Sequence, residues 1–374
     1  RNHFNEIGLD PAFRIADEGE IKLMQQEVLK ELLEDAYASG EEAFRYCVEY
    51  FCPGGRESAL QQHILNLSRY AASFPWPEEW LLHCRKELED ITADSLWQTQ
   101  WMQYLLQRLE KTLQAAVSLA GAAQKVCEKP AGPYMYAECL EQDETFLQDC
   151  LAQSRHIAGI EDLYALGERI SKVKWSMLSR KKDESVGEAE RQQAKDLRDS
   201  YKALLARLSV YFADPADVML EREQQAAALS VALLDLTLVY REALAQAKKE
   251  KNILDFSDAE HAALSVLIRD GELTETAKSY QAFYEEVMID EYQDSNMVQE
   301  LLLSSVSRKG EKPDRFMVGD MKQSIYKFRL ARPEIFMDKY KSYQTGAEES
   351  CLITLKKNFR SCAEILESVN DVFS

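Results

Sequence analysis

The hydrophobic spacing of this chain changes period once, and the change limits it to a long helical part followed by an α/β part. From residue 9 to about residue 251, apolar side chains recur three and four positions apart. Ile21, Met24, Val28, Leu32 and Ala36 form one such stripe, Trp97, Trp101, Leu105, Leu109, Leu113 and Val117 a second, and Leu229, Leu233, Leu236, Tyr240 and Leu244 a third. This spacing lines one face of an α-helix and predicts an all-helical region. Breaks are expected at Cys52-Pro53-Gly54-Gly55, at Phe74-Pro75-Trp76-Pro77, at Lys129-Pro130-Ala131-Gly132-Pro133 and at the charged run Arg180-Lys181-Lys182-Asp183-Glu184. Asn252-Ile253-Leu254-Asp255-Phe256-Ser257-Asp258 then interrupts the pattern, with Ser257 or Asp258 expected to cap a helix reaching Leu267. The boundary falls between about residues 240 and 255. Beyond it, strands expected near 286–290, 315–319 and 351–355 alternate with helices near 294–306, 332–344 and 361–373, which reads as a parallel α/β sheet.

Each expected strand ends in polar chemistry. Val287-Met288-Ile289 is apolar and partly β-branched, as in a buried strand, and runs into Asp290-Glu291-Tyr292-Gln293-Asp294. Ligands of open α/β sheets bind outside the carboxyl ends of the strands. A carboxylate pair at that edge suits magnesium-nucleotide chemistry. The first acid holds the metal through its waters, and the second accepts a proton from the attacking water. The competing reading is that Asp290 and Glu291 only cap a helix starting near Asp294. Arg315-Phe316-Met317-Val318 leads to Gly319-Asp320-Met321-Lys322-Gln323-Ser324-Ile325-Tyr326-Lys327-Phe328-Arg329, and Leu352-Ile353-Thr354-Leu355 leads to Asn358-Phe359-Arg360-Ser361.

Composition removes other classes. A net charge of −19 opposes non-specific adhesion to nucleic acid, so any DNA contact is local, made by stacking aromatics and a few cations in a groove. The eight cysteines show neither C-x-x-C spacing nor Cys/His clusters, which leaves zinc and iron-sulfur sites unsupported and suits reduced thiols in a cytoplasmic protein. The five histidines are scattered, and none is an obvious base. With 374 residues, two or more domains are expected, and no run of about 18 apolar residues suggests a membrane span. The tryptophan pairs at helical spacing read as core more readily than as base stackers. The basic run near Lys181 reads as a solvated loop, and Gly54-Gly55 as a turn, because it lacks the lysine and spacing of a phosphate loop.

Taken together, Asp290-Glu291-Tyr292-Gln293-Asp294, the segment 318–331 and Asn358-Phe359-Arg360-Ser361 resemble motifs II, III and IV of the UvrD/Rep-type superfamily 1A DNA helicases, in the family's order. Phe328-Arg329-Leu330-Ala331-Arg332-Pro333-Glu334-Ile335-Phe336 looks most like the A subunit of the bacterial AddAB (RexAB-like) helicase-nucleases, as does Leu9-Asp10-Pro11-Ala12-Phe13-Arg14-Ile15-Ala16-Asp17. The simpler helicases usually carry Gly where Leu330 stands and Trp where Phe328 stands. The resemblance implies a mainly α fold with an α/β part. Residues 1–250 would be a helical 1B-like insertion, and 251–374 the returning part of a RecA-like 1A motor. It implies ATP and magnesium as cofactors, single- and double-stranded DNA as substrates, and an AddB-like partner subunit in a heterodimer. The implied activity is ATP-dependent 3′-to-5′ helicase with exonuclease, acting in recombinational repair of double-strand breaks.

By the same resemblance Asp290 is the magnesium-associated carboxylate and Glu291 the catalytic base. Gln323 senses the γ-phosphate, Arg360 contacts it as a finger-like cation, and Phe359 lies against adenine. Tyr326, Phe328 and Arg329 meet DNA. One family element is absent: no Gly-x-x-x-x-Gly-Lys-Ser/Thr loop occurs in the 374 residues, nor do motifs V and VI or a nuclease domain. The first residue is Arg and the last helix is cut at Ser374, so the chain reads as an internal fragment, expected to be inactive alone. The alternatives are a UvrD-like helicase without a nuclease and a non-catalytic helical module that binds DNA or a partner.

Overall fold

The computed structural model describes residues 2–89, 91–310, 312–346, 350–357 and 359–373. The protein is mainly helical with small sheets, and it divides into two compact units: Arg1–Leu82 with Leu233–Ser374, and His83–Ala232.

The unit His83–Ala232 is all helix. Helices Gln100–Cys127 and Glu188–Ser209 pack along each other, with Ala137–Ser154 and Ile160–Ser171 beside them. On the longest of the four, Leu109, Leu113, Ala116, Ala120 and Ala123 are fully buried, at helical spacing, and the small alanines let the neighbouring helix approach closely. Leu147, Leu163, Leu166, Tyr201 and Leu205 complete this core, each large side chain contributing about 1.5–3 kcal/mol by leaving water. The stripe from Trp97 to Val117, expected on one helix, is broken at Gln98-Thr99. There Thr99 Oγ1 accepts the Met102 N–H at 3.3 Å and starts a new helix, while Ala93–Trp97 is a short one capped by Thr92. Trp97 packs partly against the core, but Trp101 is 45% exposed. A polar centre also lies within this unit: Asp143 Oδ2 accepts from Arg198 Nε at 2.7 Å and from the Tyr201 hydroxyl at 2.6 Å. Residues 172–187 form a loop, as expected for the Lys181 run. It is bonded rather than free, with Arg198 Nη2 donating to Ser176 O at 2.7 Å and Tyr134 donating to Asp183 at 2.6 Å.

In the other unit, Asp17 caps helix Glu18–Ser39, which buries Ile21, Met24, Val28 and Leu32 as the spacing predicts. Gly54 and Gly55, both at positive φ, turn the chain between helices Glu42–Phe51 and Ser58–Ala71. Strand Arg14–Ile15 pairs in parallel with Ile253–Leu254, Ala16 N–H donating to Leu254 O at 2.9 Å. Arg241 reaches Glu78 Oε1 from Nε at 2.9 Å. These bonds join residues 1–82 to the chain after 233, so the compact units do not coincide with the expected division at 250. The cap of helix Phe256–Leu267 is Asp255, not Ser257 or Asp258. Asp258 instead returns its carboxylate to the Asp255 N–H, completing a capping box, and the buried Lys248 ammonium holds both acids at 2.6 and 2.7 Å.

Val287–Ile289 and Arg315–Met317 pair in parallel, with Met288 opposite Phe316. This matches the first two expected strands, but not the expected burial. Arg315 points toward helix Met297–Val306, whereas Met288 and Phe316 alternate to the other face and are 68% and 56% exposed. Two strands with a helix on one side leave the second side open. The third expected strand, 351–355, has no regular secondary structure and is not part of a sheet. Helices Met297–Val306, Pro333–Gln344 and Ala363–Phe373 follow the expected alternation. Among the described residues, no helix is long and apolar enough to cross a membrane.

Candidate functional site

The end of strand Val287–Ile289 is a tight, heavily bonded turn. Asp290 Oδ1 accepts the Glu291 N–H at 2.9 Å, and Asp294 N–H closes on Glu291 O at 2.9 Å. Glu291 sits in the left-handed region at φ +49°, a conformation that costs a non-glycine residue about 1–3 kcal/mol and persists only where neighbours enforce it. The neighbours are identifiable. Val318 N–H donates to Ile289 O at 2.8 Å and Tyr292 N–H donates to Val318 O at 2.9 Å, so the second strand grips the turn from both sides.

Neither acid caps the following helix, which removes the competing reading. That role belongs to Asn296, whose side chain accepts the Gln299 N–H at 2.8 Å while Gln299 bonds back to the Asn296 N–H. Asp290 and Glu291 are thus left exposed beside an open crevice of about 460 Å³, lined also by Asp294, Ser295, Gln299, Leu302 and Leu303. One oxygen of Asp294, Oδ1, is buried there without a hydrogen-bond partner among the described residues. Two exposed carboxylates beside an open crevice suit a hydrated magnesium ion, which keeps most of its waters and takes one or two protein acids. Among the described residues no group of three or more His, Cys, Asp or Glu side chains is arranged to hold a metal ion.

Below the turn, Tyr292 is buried and donates its hydroxyl to Glu300, which also pairs with Arg315. Burial and the Glu300 hydrogen bond both push the Tyr292 phenol well above its usual value. Gln293, 1% exposed, spends both ends of its amide. Its Nε2 donates to Glu291 Oε2 at 2.6 Å and its Oε1 accepts the Asp320 N–H at 2.9 Å. The sequence contains Gln293 within the motif but offers no reason to single it out. A polar side chain directly after a buried aromatic position was the available signal.

On the second segment, Asp320 caps a single 3-10 turn, Met321–Gln323, and accepts Gln323 Nε2 at 3.0 Å. The Gln323 bond first, and the Lys322 N–H second, hold the Asp320 carboxyl below its ordinary range. Three residues on from Gln323, Tyr326 begins an aromatic face with Phe328. Their tilted rings lie 5.8 Å apart, and the Arg329 guanidinium lies over both, at 5.1 and 5.6 Å. Phe328 is 70% exposed, so this cation-aromatic face is open to a flat partner. Leu330 follows at φ +63°, a conformation in which glycine would carry no strain. Arg332 then ties the segment down, its N–H bonded to Ser295 O at 2.9 Å and its guanidinium 4.6 Å from the Phe74 ring. Phe74 in turn stacks on Trp80 at 4.4 Å, so Trp80 is structural.

The structure therefore brings Asp290, Glu291, Asp320 and Gln323 to one sheet edge, with Tyr326, Phe328 and Arg329 on the continuous segment beyond. On the third segment Phe359 is 92% exposed and Arg360 is exposed. Asn358 lies outside the described residues.

The model of the UvrD/REP helicase N-terminal domain matches residues 1–344, and the chain belongs to this family. Among curated proteins it is 40% identical, over its whole length, to the A subunit of the ATP-dependent helicase/nuclease of Lachnoclostridium phytofermentans, of which it covers 27%. It is similarly 37% identical to the A subunit of the Bacillus licheniformis helicase/nuclease and 35% identical to that of Natranaerobius thermophilus, covering 30% and 29% of them. The chain thus spans under a third of the length of these relatives.

Proposed function

We propose that this chain is part of the motor of an ATP-dependent 3′-to-5′ DNA helicase that, with an exonuclease and an AddB-like partner, processes double-strand breaks for recombinational repair. The observation that carries the reading is the hydrogen-bonded union of the Asp290-Glu291 turn with the segment from Gly319 to Arg329, which links the two carboxylates to the Tyr326–Phe328–Arg329 face along one stretch of chain. In this reading the unit His83–Ala232 corresponds to the core of a 1B-like insertion, and the α/β residues belong to 1A.

Asp290 would hold a magnesium ion, which would supply neutralisation of charge on the phosphate oxygens. Glu291 accepts the proton of the attacking water. Gln323 would meet the γ-phosphate, Arg360 would offer a cation to charge developing on it, and Phe359 would lie against adenine. Tyr326 and Phe328 stack on bases without regard to sequence, and Arg329 adds a cation to the same face. The missing phosphate-binding loop leaves the β- and γ-phosphates without their backbone cradle in these residues. This supports a second statement, that the 374 residues alone neither hydrolyse ATP appreciably nor cut DNA.

The test is single-strand-DNA-stimulated ATP hydrolysis. This chain and its Glu291→Gln variant should show the same background, whereas in the full-length natural protein Glu291→Gln should abolish turnover and unwinding. Robust turnover by the 374 residues, lost in Glu291→Gln, would mean that another element holds the phosphates.

A further inference from the structure

Gln293 joins the two halves of the site, and its chemistry leaves no freedom in how it does so. Asp320 N–H can only donate, so the oxygen of the Gln293 amide must face it. The nitrogen then faces the Glu291 carboxylate, an acceptor, and both bonds are satisfied, at 2.9 and 2.6 Å. No other residue type of this length fulfils both requirements. A glutamate would set a second carboxylate against Glu291, and an apolar side chain would leave the Asp320 N–H unpaired. The packing around the amide is equally closed. A Cβ on Gly319 would lie 2.5 Å from Gln293 Oε1 and 3.0 Å from Phe336, so glycine is what permits the approach.

We propose that Gln293 is a positioning residue that sets the Glu291 carboxylate and transmits to it the displacement of the Gly319–Gln323 turn when DNA engages Tyr326 and Phe328. The inference rests on the assignment of Glu291 as the base. Glu291 itself is exposed and its backbone is left-handed, so the amide of the buried Gln293 is the rigid support of its side chain. A shift of the Asp320 peptide moves Gln293 Oε1, and the rigid amide carries Nε2 and the carboxylate with it. DNA stimulation of hydrolysis then travels through one side chain rather than through a general reorganisation of the sheet.

The experiment uses the full-length natural protein, MgATP and oligo(dT). Gln293→Glu keeps the acceptor for Asp320 and removes the donor to Glu291, while Gln293→Met keeps the volume and removes both. A misplacement of about 1 Å at a reacting group costs on the order of 100-fold. Both variants should therefore lose about that factor in DNA-stimulated kcat, keep KM for MgATP within about threefold, and lose most of the ratio of stimulated to basal turnover. Gly319→Ala, whose new Cβ would press on the Oε1 end of the amide, should reproduce the pattern without changing residue 293 and covers the case in which a Gln293 variant fails to fold. A kcat within about threefold of the unaltered protein, or a loss confined to KM and melting temperature, overturns the proposal. Glu291→Gln, with Gln293 intact, is the separate control: if it retains turnover, the base assignment fails, and the failure is distinguishable from that of the positioning role.

Discussion

Glu300 and Arg315 form an ion pair with side chains only 18% and 10% exposed, joining the helix that follows the acidic turn to the strand that leads into the second motif. Burial alone would raise the Glu300 carboxyl, but hydrogen bonds from Arg315 and Tyr292 outweigh it and hold it below the ordinary value of 4.5. A carboxyl depressed in the folded state stabilises the fold above its ordinary range and loses that contribution as pH falls through the folded value. Removing Arg315 leaves the largely buried Glu300 with only Lys339, 3.8 Å away, as counter-charge among the described residues, at a cost of up to about 3–5 kcal/mol. Arg315→Met should therefore lower the unfolding free energy of this chain by that amount at pH 7. The difference between variant and parent should shrink in denaturation series taken below pH 4.5, and a pH-independent difference would contradict the assignment.

Leu330 stores left-handed strain that glycine would not. Relief of roughly 1–2 kcal/mol is offset by roughly 0.5–1 kcal/mol of added unfolded-chain entropy and by lost contacts of a half-buried leucine. Leu330→Gly should stay close to the parent in melting temperature, while the β-branched Leu330→Val should fall clearly below both. A valine variant at least as stable as the glycine variant would show that the turn relaxes out of φ +63°.

Asp143, 4% exposed, is the acceptor for both Arg198 and Tyr201. Asp143→Asn leaves the guanidinium buried without a counter-charge and should destabilise the unit His83–Ala232 by about 3–5 kcal/mol. Glu168→Gln, which removes the exposed Glu168–Lys172 pair, should cost under about 1 kcal/mol. Chemical denaturation of the two variants side by side separates buried from surface charge; equal losses would refute the distinction.

Phe328 offers a smaller stacking surface than the tryptophan common at this position in the family. In the full-length protein Phe328→Ala should weaken oligo(dT) binding by about 1–3 kcal/mol, equivalent to roughly 5- to 150-fold in Kd, and Phe328→Trp should tighten it. Fluorescence anisotropy at fixed salt reads both. Unchanged affinity in the alanine variant would move DNA binding off this face.

Much of the architecture was legible in the amino-acid order, because the signals act over a few residues. Helical spacing located the buried faces of Glu18–Ser39 and Gln100–Cys127, and the apolar runs located Val287–Ile289 and Arg315–Met317. Asp290 and Glu291 stood out by residue type at the end of an apolar run, whereas Gln323, Tyr326, Phe328 and Arg329 were singled out only by resemblance to the helicase motifs. Other features depend on partners far along the chain. The pairing of Arg14–Ile15 with Ile253–Leu254 closes a loop of more than two hundred residues, and no local pattern announces it. The exposure of Met288 and Phe316 follows from which side of the strand pair carries a helix, and period-two spacing alone cannot tell a covered face from an open one. Tertiary structure alone forces Glu291 into the left-handed region and gives Gln293 its two partners, because both follow from the grip of the second strand on the turn. Short-range chemistry thus selected the residues at the site, and long-range packing decided how they are held.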